Sequence, residues 1–281
     1  MKVKNDKDII CWVSGGVTSA VACKLAIDTY GLDRCHFVFI DTRNESDDTY
    51  RFLGDLEKWY GCAINSIANA EYKSIQEVWY KFKSLNVASG AICSSELKRK
   101  MRWEYQRTFA FTHQVFGFDI REPRRAEAMK LNYPESKPVF PLLAQGYTKN
   151  DCIRVLKEAG IKIPASYING YQNNNCYKTM CVQGGIGYWQ KAQIDFPEKF
   201  DAMAKVEHEL TDLKGKPVTA LKDQSNKAKK KVRETGDKKY ERIFLKPHPD
   251  YPEVSDLSMK KGRKPEPLPE CNGMCGLNDG Q

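Results

Sequence analysis

Ile9-Ile-Cys-Trp-Val-Ser-Gly-Gly-Val-Thr-Ser-Ala-Val-Ala22 carries a short apolar run into Ser14-Gly15-Gly16-Val17-Thr18-Ser19 and then into a helical pattern. This order of strand, glycine-rich turn and helix is a phosphate site in outline. Adjacent glycines let the backbone approach an anion closely, and the Ser and Thr hydroxyls add donors. The following helix presents free N–H groups at the positive end of its dipole. The stretch lacks the lysine of G-x-x-x-x-G-K-[ST] and the third glycine of a dinucleotide fingerprint, so it fits neither of those nucleotide loops. The alternative is an ordinary glycine-rich turn between a strand and a helix.

Working outward, apolar runs predict strands over 8–13, 36–40, 63–67 and 115–120. Amphipathic periodicity and cap residues predict helices over 18–30, 46–60, 74–84, 148–160, 188–193 and 197–213. Strands and helices alternating at this spacing imply an α/β fold with a doubly wound parallel sheet, in which ligands sit at the carboxyl ends of the strands. Asp41 stands at such an end. The expected organisation is a nucleotide-binding core over 1–145, a smaller helical Cys/Gly-rich unit over 146–213, and a Lys-rich linker with a flexible, Cys-bearing tail over 214–281.

A chain of 281 residues, 41% hydrophobic and 29% charged, can bury a sizeable core. No apolar run reaches the ~20 residues of a membrane span and no signal peptide precedes the first strand, which points to a cytoplasmic protein with no membrane partner. Ten cysteines in such a compartment read as packing, metal ligation or redox chemistry rather than disulfides. The net charge of +9 suits a polyanionic ligand, yet much of it is local to the Lys-rich 214–239 stretch. That composition favours a solvated linker, with contact to nucleic acid as the alternative.

The 14–19 loop, Asp41-Thr-Arg-Asn-Glu45, Cys93-Ser-Ser-Glu-Leu-Lys98, the Gly117 to Arg125 stretch, Gly146-Tyr-Thr-Lys-Asn-Asp151, and Asn173-Asn-Asn-Cys176 through Trp189 occur in this order. Together they resemble the phosphoadenosine phosphosulfate reductase family of the adenine-nucleotide α-hydrolase-like, pyrophosphate-loop superfamily, and especially its bacterial and phage-borne branch. The resemblance covers about residues 8–213. It implies that Ser14, Gly15, Gly16, Val17, Thr18 and Ser19 hold the phosphates of an adenine nucleotide, be it phosphoadenylyl sulfate, adenylyl sulfate or ATP. Asp41 would orient adenine or ribose, and Lys98, Arg121 and Arg125 would clamp sulfate or phosphate oxygens. Arg99, Lys100 and Arg124 are weaker candidates for the same task. The chain departs from the family in two places here. Thr18 stands where ATP-cleaving relatives carry an aspartate that serves Mg²⁺, and Gly117-Phe118-Asp119 replaces a G-[IL]-R pattern, with Arg121 two positions later.

Cys11, Cys23, Cys35, Cys62 and Cys152 lie beside apolar residues and read as buried packing. Cys93, Cys176, Cys181, Cys271 and Cys275 occupy polar loops, helix starts or the tail. By the resemblance, Cys93, Cys176, Cys181 and Cys271 would hold a [4Fe–4S] cluster, with zinc or no metal as alternatives. Cys176 and Cys181 are separated by four residues where relatives have two, and Ser94 follows Cys93 where relatives have a second cysteine. The Met274-Cys-Gly-Leu-Asn-Asp-Gly280 end resembles the tail of cluster-free reductases, which makes Cys275 the candidate nucleophile. A thiol or thioredoxin-type electron donor would complete that reaction. Three functions compete: a reductase acting on an adenylyl-sulfate nucleotide, an ATP-dependent adenylating enzyme that inserts sulfur into nucleic acid, and a non-catalytic nucleotide-binding module.

Overall fold

The computed structural model describes residues 8–87 and 90–268. The chain opens with β1 (Ile9–Val13), α1 (Val17–Tyr30), β2 (Cys35–Asp41), α2 (Asp47–Tyr60), β3 (Asn65–Ala68) and α3 (Ile75–Phe82). A short antiparallel pair, β4 (Asn86–Val87) and β5 (Gly90–Ala91), leads through a π-helical turn at Ser94–Arg99 into α4 (Lys100–Thr108). Next come β6 (His113–Val115), α5 (Pro123–Asn132), β7 (Pro138–Val139), α6 (Pro141–Gln145), α7 (Lys149–Glu158), α8 (Ala165–Ile168), α9 (Ile186–Asp195) and α10 (Pro197–Lys214).

The main sheet is parallel and five-stranded, in the order β3-β2-β1-β6-β7, which is the expected α/β architecture. β1 is central and buried along its whole length, as a parallel strand covered on both faces must be. Cys11 pairs with Phe37 on one side and Val115 on the other. Side chains alternate across the sheet. Ile9, Cys11 and Val13 join α1, α2 and α7 residues in one buried cluster, while Ile10 and Trp12 join Phe116, Phe118 and Met129 on the opposite face. The order reverses at β1, with β2 on one side and β6 on the other, and the 14–19 loop sits at the carboxyl end of that strand, where ligands bind in such sheets. Cys152 and Leu156 of α7 lie in the β1 cluster, so packing around the sheet reaches past residue 145.

Two elements differ from the sequence expectation. The strand expected over 115–120 is only His113–Val115, because Gly117 presses against the backbone of Ser19 and the chain leaves the ladder there. The 214–239 stretch expected as a linker is folded. It contributes β8 (Leu221–Lys222) and α11 (Asn226–Thr235), and β9 (Arg242–Phe244) and β10 (Ser255–Asp256) complete a three-stranded sheet. Val218, Leu221, Ile243, Leu245 and Leu257 are buried in the cluster that also holds Trp79, Trp189 and Phe200, and that burial offsets the ordering of a polar segment. Among the described residues, no helix is long and apolar enough to cross a membrane.

Candidate active site

The loop after β1 is built from neutral groups. Ser19 Oγ accepts from Ser14 N at 3.0 Å and Ser14 Oγ at 2.9 Å, and donates to Gly16 O at 3.0 Å, closing the turn on itself. Gly15 has φ +81°, and a Cβ there would meet Thr49 Cγ2 at 2.8 Å, so this position admits only glycine. No side chain caps α1 at Gly16. The helix start keeps its N–H dipoles for a ligand, apart from Val17 N, which reaches Tyr167 Oη at 3.3 Å. Thr18 Oγ1 is buried with no hydrogen-bond partner, a donor placed at the amino end of the helix.

Two further contacts fix this loop. Asn174 Nδ2 donates to Gly15 O at 2.9 Å and Thr49 Oγ1 at 3.0 Å, while its Oδ1 accepts from Ser166 Oγ at 2.9 Å. A Cβ at Gly117 would lie 2.5 Å from Ser19 N and Cα. Sequence marked the Asn173–Cys176 and Gly117 regions as motifs, but the clamping by Asn174 and Gly117 needed the tertiary packing. Its only signal was small or amide residues in otherwise polar loops.

At the end of β2, Asp41 Oδ1 accepts from Arg43 N at 2.7 Å and Tyr50 Oη at 3.0 Å. Burial, then the charge of Asp41, pushes the Tyr50 phenol well above its ordinary range, which keeps it a donor. The next residues stitch to the cysteine loop. Asn44 Nδ2 donates to Thr179 Oγ1 at 2.7 Å, Asn44 O accepts from Lys178 N at 3.3 Å, and Thr42 Oγ1 lies 3.9 Å from Cys176 Sγ. Lys98 extends from the π-helical turn to within 3.6 Å of Glu45 Oε1, with both side chains almost fully buried. Single π turns inside helices recur at functional sites, and this one places a buried cation beside Cys93 and the Asp41 loop.

The two arginines part company. Arg121 folds back onto Asp119, with Nη2 at 2.7 Å and Nε at 3.1 Å from Oδ2, and its side chain is 61% exposed. Asp119 Oδ2 also accepts from Lys149 N at 3.1 Å, so Asp119 organises this turn. Arg125 is buried, lies 4.5 Å from the Phe118 ring centroid and pairs with Glu122.

Cys93, Cys176 and Cys181 are all buried in one cluster with Tyr171, Tyr188, Trp189 and Leu268. The separation of 83 residues between Cys93 and Cys176 is thus bridged by the fold. Tyr188 Oη accepts from Cys181 N at 3.0 Å, and Cys176 is held at φ 27°. Among the described residues the single trio of metal-capable groups within 4.8 Å of one another is Asp212, His248 and Asp250, which excludes the three cysteines from such a tight set. Thiolates sharing one tetrahedral zinc would lie roughly 3.8 Å apart, closer than these three are held. His248 is not poised as a ligand. Its Nδ1 accepts from Asp250 N at 3.2 Å, which leaves the ring proton on Nε2, facing Asp212 at 3.4 Å. Cys11, Cys23, Cys35 and Cys152 are fully buried in the core and Cys62 is half-buried, as packing residues. Cys271 and Cys275 lie outside the described residues.

The chain does return toward this cluster. Glu266 accepts from Gly187 N at 3.3 Å and Tyr188 N at 3.2 Å at the start of α9, and Gln190 holds Lys260 O at 3.1 Å and Arg263 N at 2.9 Å. A Cβ at Gly187 would fall 2.1 Å from Lys264 O, so the glycine-rich turn is the bed of this strap. Leu268 N then donates to Asn173 Oδ1 at 2.9 Å, with Leu268 in the cysteine cluster.

A family model described as the phosphoadenosine phosphosulfate reductase domain matches residues 8–179, more than half of the chain. No curated protein matches it.

Proposed function

The chain belongs to the phosphoadenosine phosphosulfate reductase family, and on that premise we propose that it binds an adenylyl-sulfate nucleotide at the 14–19 loop and transfers its sulfonate to a thiol. The observation that carries this reading is the loop itself: an uncapped helix start, a glycine at φ +81° and a buried, unpartnered Thr18 hydroxyl converge on one anion position. Ser14, Gly16, Val17 and Ser19 complete the cradle. Asp41 takes the ribose or adenine, and Lys98 and Arg125, buried beside Glu45 and Glu122, are the proposed clamps on the sulfonate oxygens, with Arg121, largely exposed on Asp119, a lesser contributor. Mg²⁺ is an accessory in this scheme, since Thr18 supplies a hydroxyl and not a carboxylate.

Cys275 is the proposed nucleophile. Its thiolate attacks the sulfur, an S–S bond forms, and the S–O bond to the nucleotide phosphate breaks, releasing the nucleotide. A dithiol of the thioredoxin type then supplies two electrons, leaves as a disulfide and frees sulfite and the Cys275 thiol. From Leu268, the chain to Cys275 spans at most about 24 Å. Cys93, Cys176, Cys181 and Cys271 are the proposed holders of a [4Fe–4S] cluster, which when bound would supply redox capacity beside the sulfonate. The buried Lys98–Glu45 pair fixes the loop between the nucleotide and that centre.

Calorimetry with adenylyl sulfate, phosphoadenylyl sulfate, ATP and AMP tests the reading, together with thiol-dependent sulfite release and iron and sulfide assay of anaerobically prepared protein. Absence of any adenine-nucleotide binding overturns it. Sulfite release at the unmodified rate by Cys275→Ser overturns the nucleophile, and full iron retention in Cys93→Ser, Cys176→Ser and Cys181→Ser overturns the cluster. Pyrophosphate release from ATP without sulfite release would favour the sulfur-insertion reading.

A further inference from the structure

Between Lys214 and Arg242 the chain carries eleven Lys and Arg against four Asp and Glu, which accounts for most of the net charge of +9. In the folded protein these residues are gathered, not strung along a linker. Lys214 and Lys216 at the end of α10, Lys238 and Lys239 in the turn before β9, and Arg242 on β9 line one cleft of ≈ 230 Å³. Lys239 is neutralised by Glu253 at 2.7 Å and Asp237 at 3.4 Å, and Lys214 Nζ donates to Lys83 O at 2.8 Å. Among the described residues, Lys216, Lys238 and Arg242 take part in no ion pair.

Arg242 is partly buried, and burial lowers its hold on its proton although the neighbouring charge of Glu241 opposes this. Burial, then the charges of Lys216 and Arg242, lowers the affinity of Lys214 for its proton, the mark of like charges crowded into one cleft. The turn at Lys238–Glu241 packs against α11, where Lys231 lies 3.9 Å from the Tyr240 ring centroid and Lys227, Lys229, Lys230 and Arg233 are exposed. The cleft therefore continues onto a basic helix of ten residues. Such a helix is about 15 Å long, the rise of about four phosphates of one strand. A single phosphate would leave most of this charge uncompensated.

The cleft also touches the cysteine loop. Asn86 lines it and donates from Nδ2 to Ala220 O and to Val182 O, each at 3.2 Å, and Val182 directly follows Cys181. We propose that the 214–242 segment is a docking surface for the phosphodiester backbone of a nucleic acid, held beside the loop that carries Cys181. The surface goes beyond the nucleotide site and does not depend on its assignment.

Fluorescence anisotropy with labelled 30-nucleotide single- and double-stranded probes of mixed sequence tests it, run on the full chain between 50 and 200 mM salt. Binding should weaken as salt rises. The Lys216→Gln/Lys238→Gln/Arg242→Gln variant should bind at least about tenfold more weakly, with a salt slope shallower by about 2 to 3, as three lost phosphate contacts require. Lys227→Gln/Lys229→Gln/Lys230→Gln, all on the exposed face of α11, should weaken binding without disturbing the cleft, which keeps the test valid if the first variant misfolds. Gly15→Val should leave this binding intact, separating it from the nucleotide site. No salt-dependent binding at 50 mM, affinity unchanged in both triple variants, or binding to phosphatidylserine vesicles but not to the probes would each overturn the proposal.

Discussion

The 14–19 loop and the C-terminal lobe hold their shape by different means. Around Ser14 to Ser19 the contacts are neutral, running between hydroxyls, an amide and backbone, and glycines at 15 and 117 allow separations no side chain would permit. In the lobe, short strands are joined by the buried carboxyl of Glu207, whose oxygens accept from Ala220 N and Leu245 N at 2.7 Å each, beneath a surface crowded with lysines. A neutral, close-packed loop is insensitive to pH and salt but intolerant of added volume. A lobe hung on one buried titratable group beneath a charged surface responds to pH and salt instead.

The sharpest way to break this contrast is volume at the loop. Gly15→Val should abolish adenine-nucleotide binding measured by calorimetry, because the new side chain needs both a left-handed φ and the space of Thr49. Gly117→Ala should lose binding as well and cost about 1–3 kcal/mol of stability by denaturant unfolding, since its Cβ overlaps the Ser19 backbone. Unchanged affinity in both would show that the loop is not preorganised in this way.

The pH response separates the regions next. Burial lifts Glu207 to about 8, against two backbone N–H bonds that lower it. An unfolded glutamate titrates near 4.5, so between those values the folded protein holds a proton that the unfolded chain has lost. Stability contributed by this group is present below about pH 4.5 and declines as pH rises toward 8, by about 1.4 kcal/mol per unit. Hydrogen exchange should show the 207–245 amides losing protection over that window while those of α1 do not. Equal loss in both regions would contradict the contrast.

A smaller effect is expected at the strap. Gly187→Ala should displace Lys264 and speed tryptic cleavage at Lys260 to Lys264 several-fold, with nucleotide affinity unchanged. Smallest of all, Arg121→Ala should change nucleotide affinity less than about threefold, because an exposed ion pair is worth little, whereas Arg125→Ala should cost more through lost packing on Phe118. The reverse order in a binding assay would reassign the anion contact.

Much of the core was legible because β1 and β2 are continuous apolar runs and the helices beside them repeat at helical spacing. The boundaries that shifted did so for local reasons. The strand at 115 stops early because Gly117 must reach Ser19, a contact with no periodic signature. α5 has no clear signature in the sequence, because its polar composition hides Pro123 at its first turn and the inward faces of Ala126 and Met129. β8, β9 and β10 are two or three residues long, too short for alternation to register, so a lysine-rich sequence masked a folded lobe.

The sequence by itself determined the strand, glycine-rich loop and helix at 9–30 and the parallel sheet around them. These depend on neighbours along the chain, where apolar spacing and glycine content act directly. Only the tertiary structure decided that Cys93, Cys176 and Cys181 share one buried cluster, that Asn174 and Gly117 clamp the loop, that Glu266 beds the strap on α9, and that the lysines converge on a cleft beside Cys181. Those arrangements join residues tens to more than a hundred positions apart. Their energy lies in packing and hydrogen bonds that no local pattern encodes.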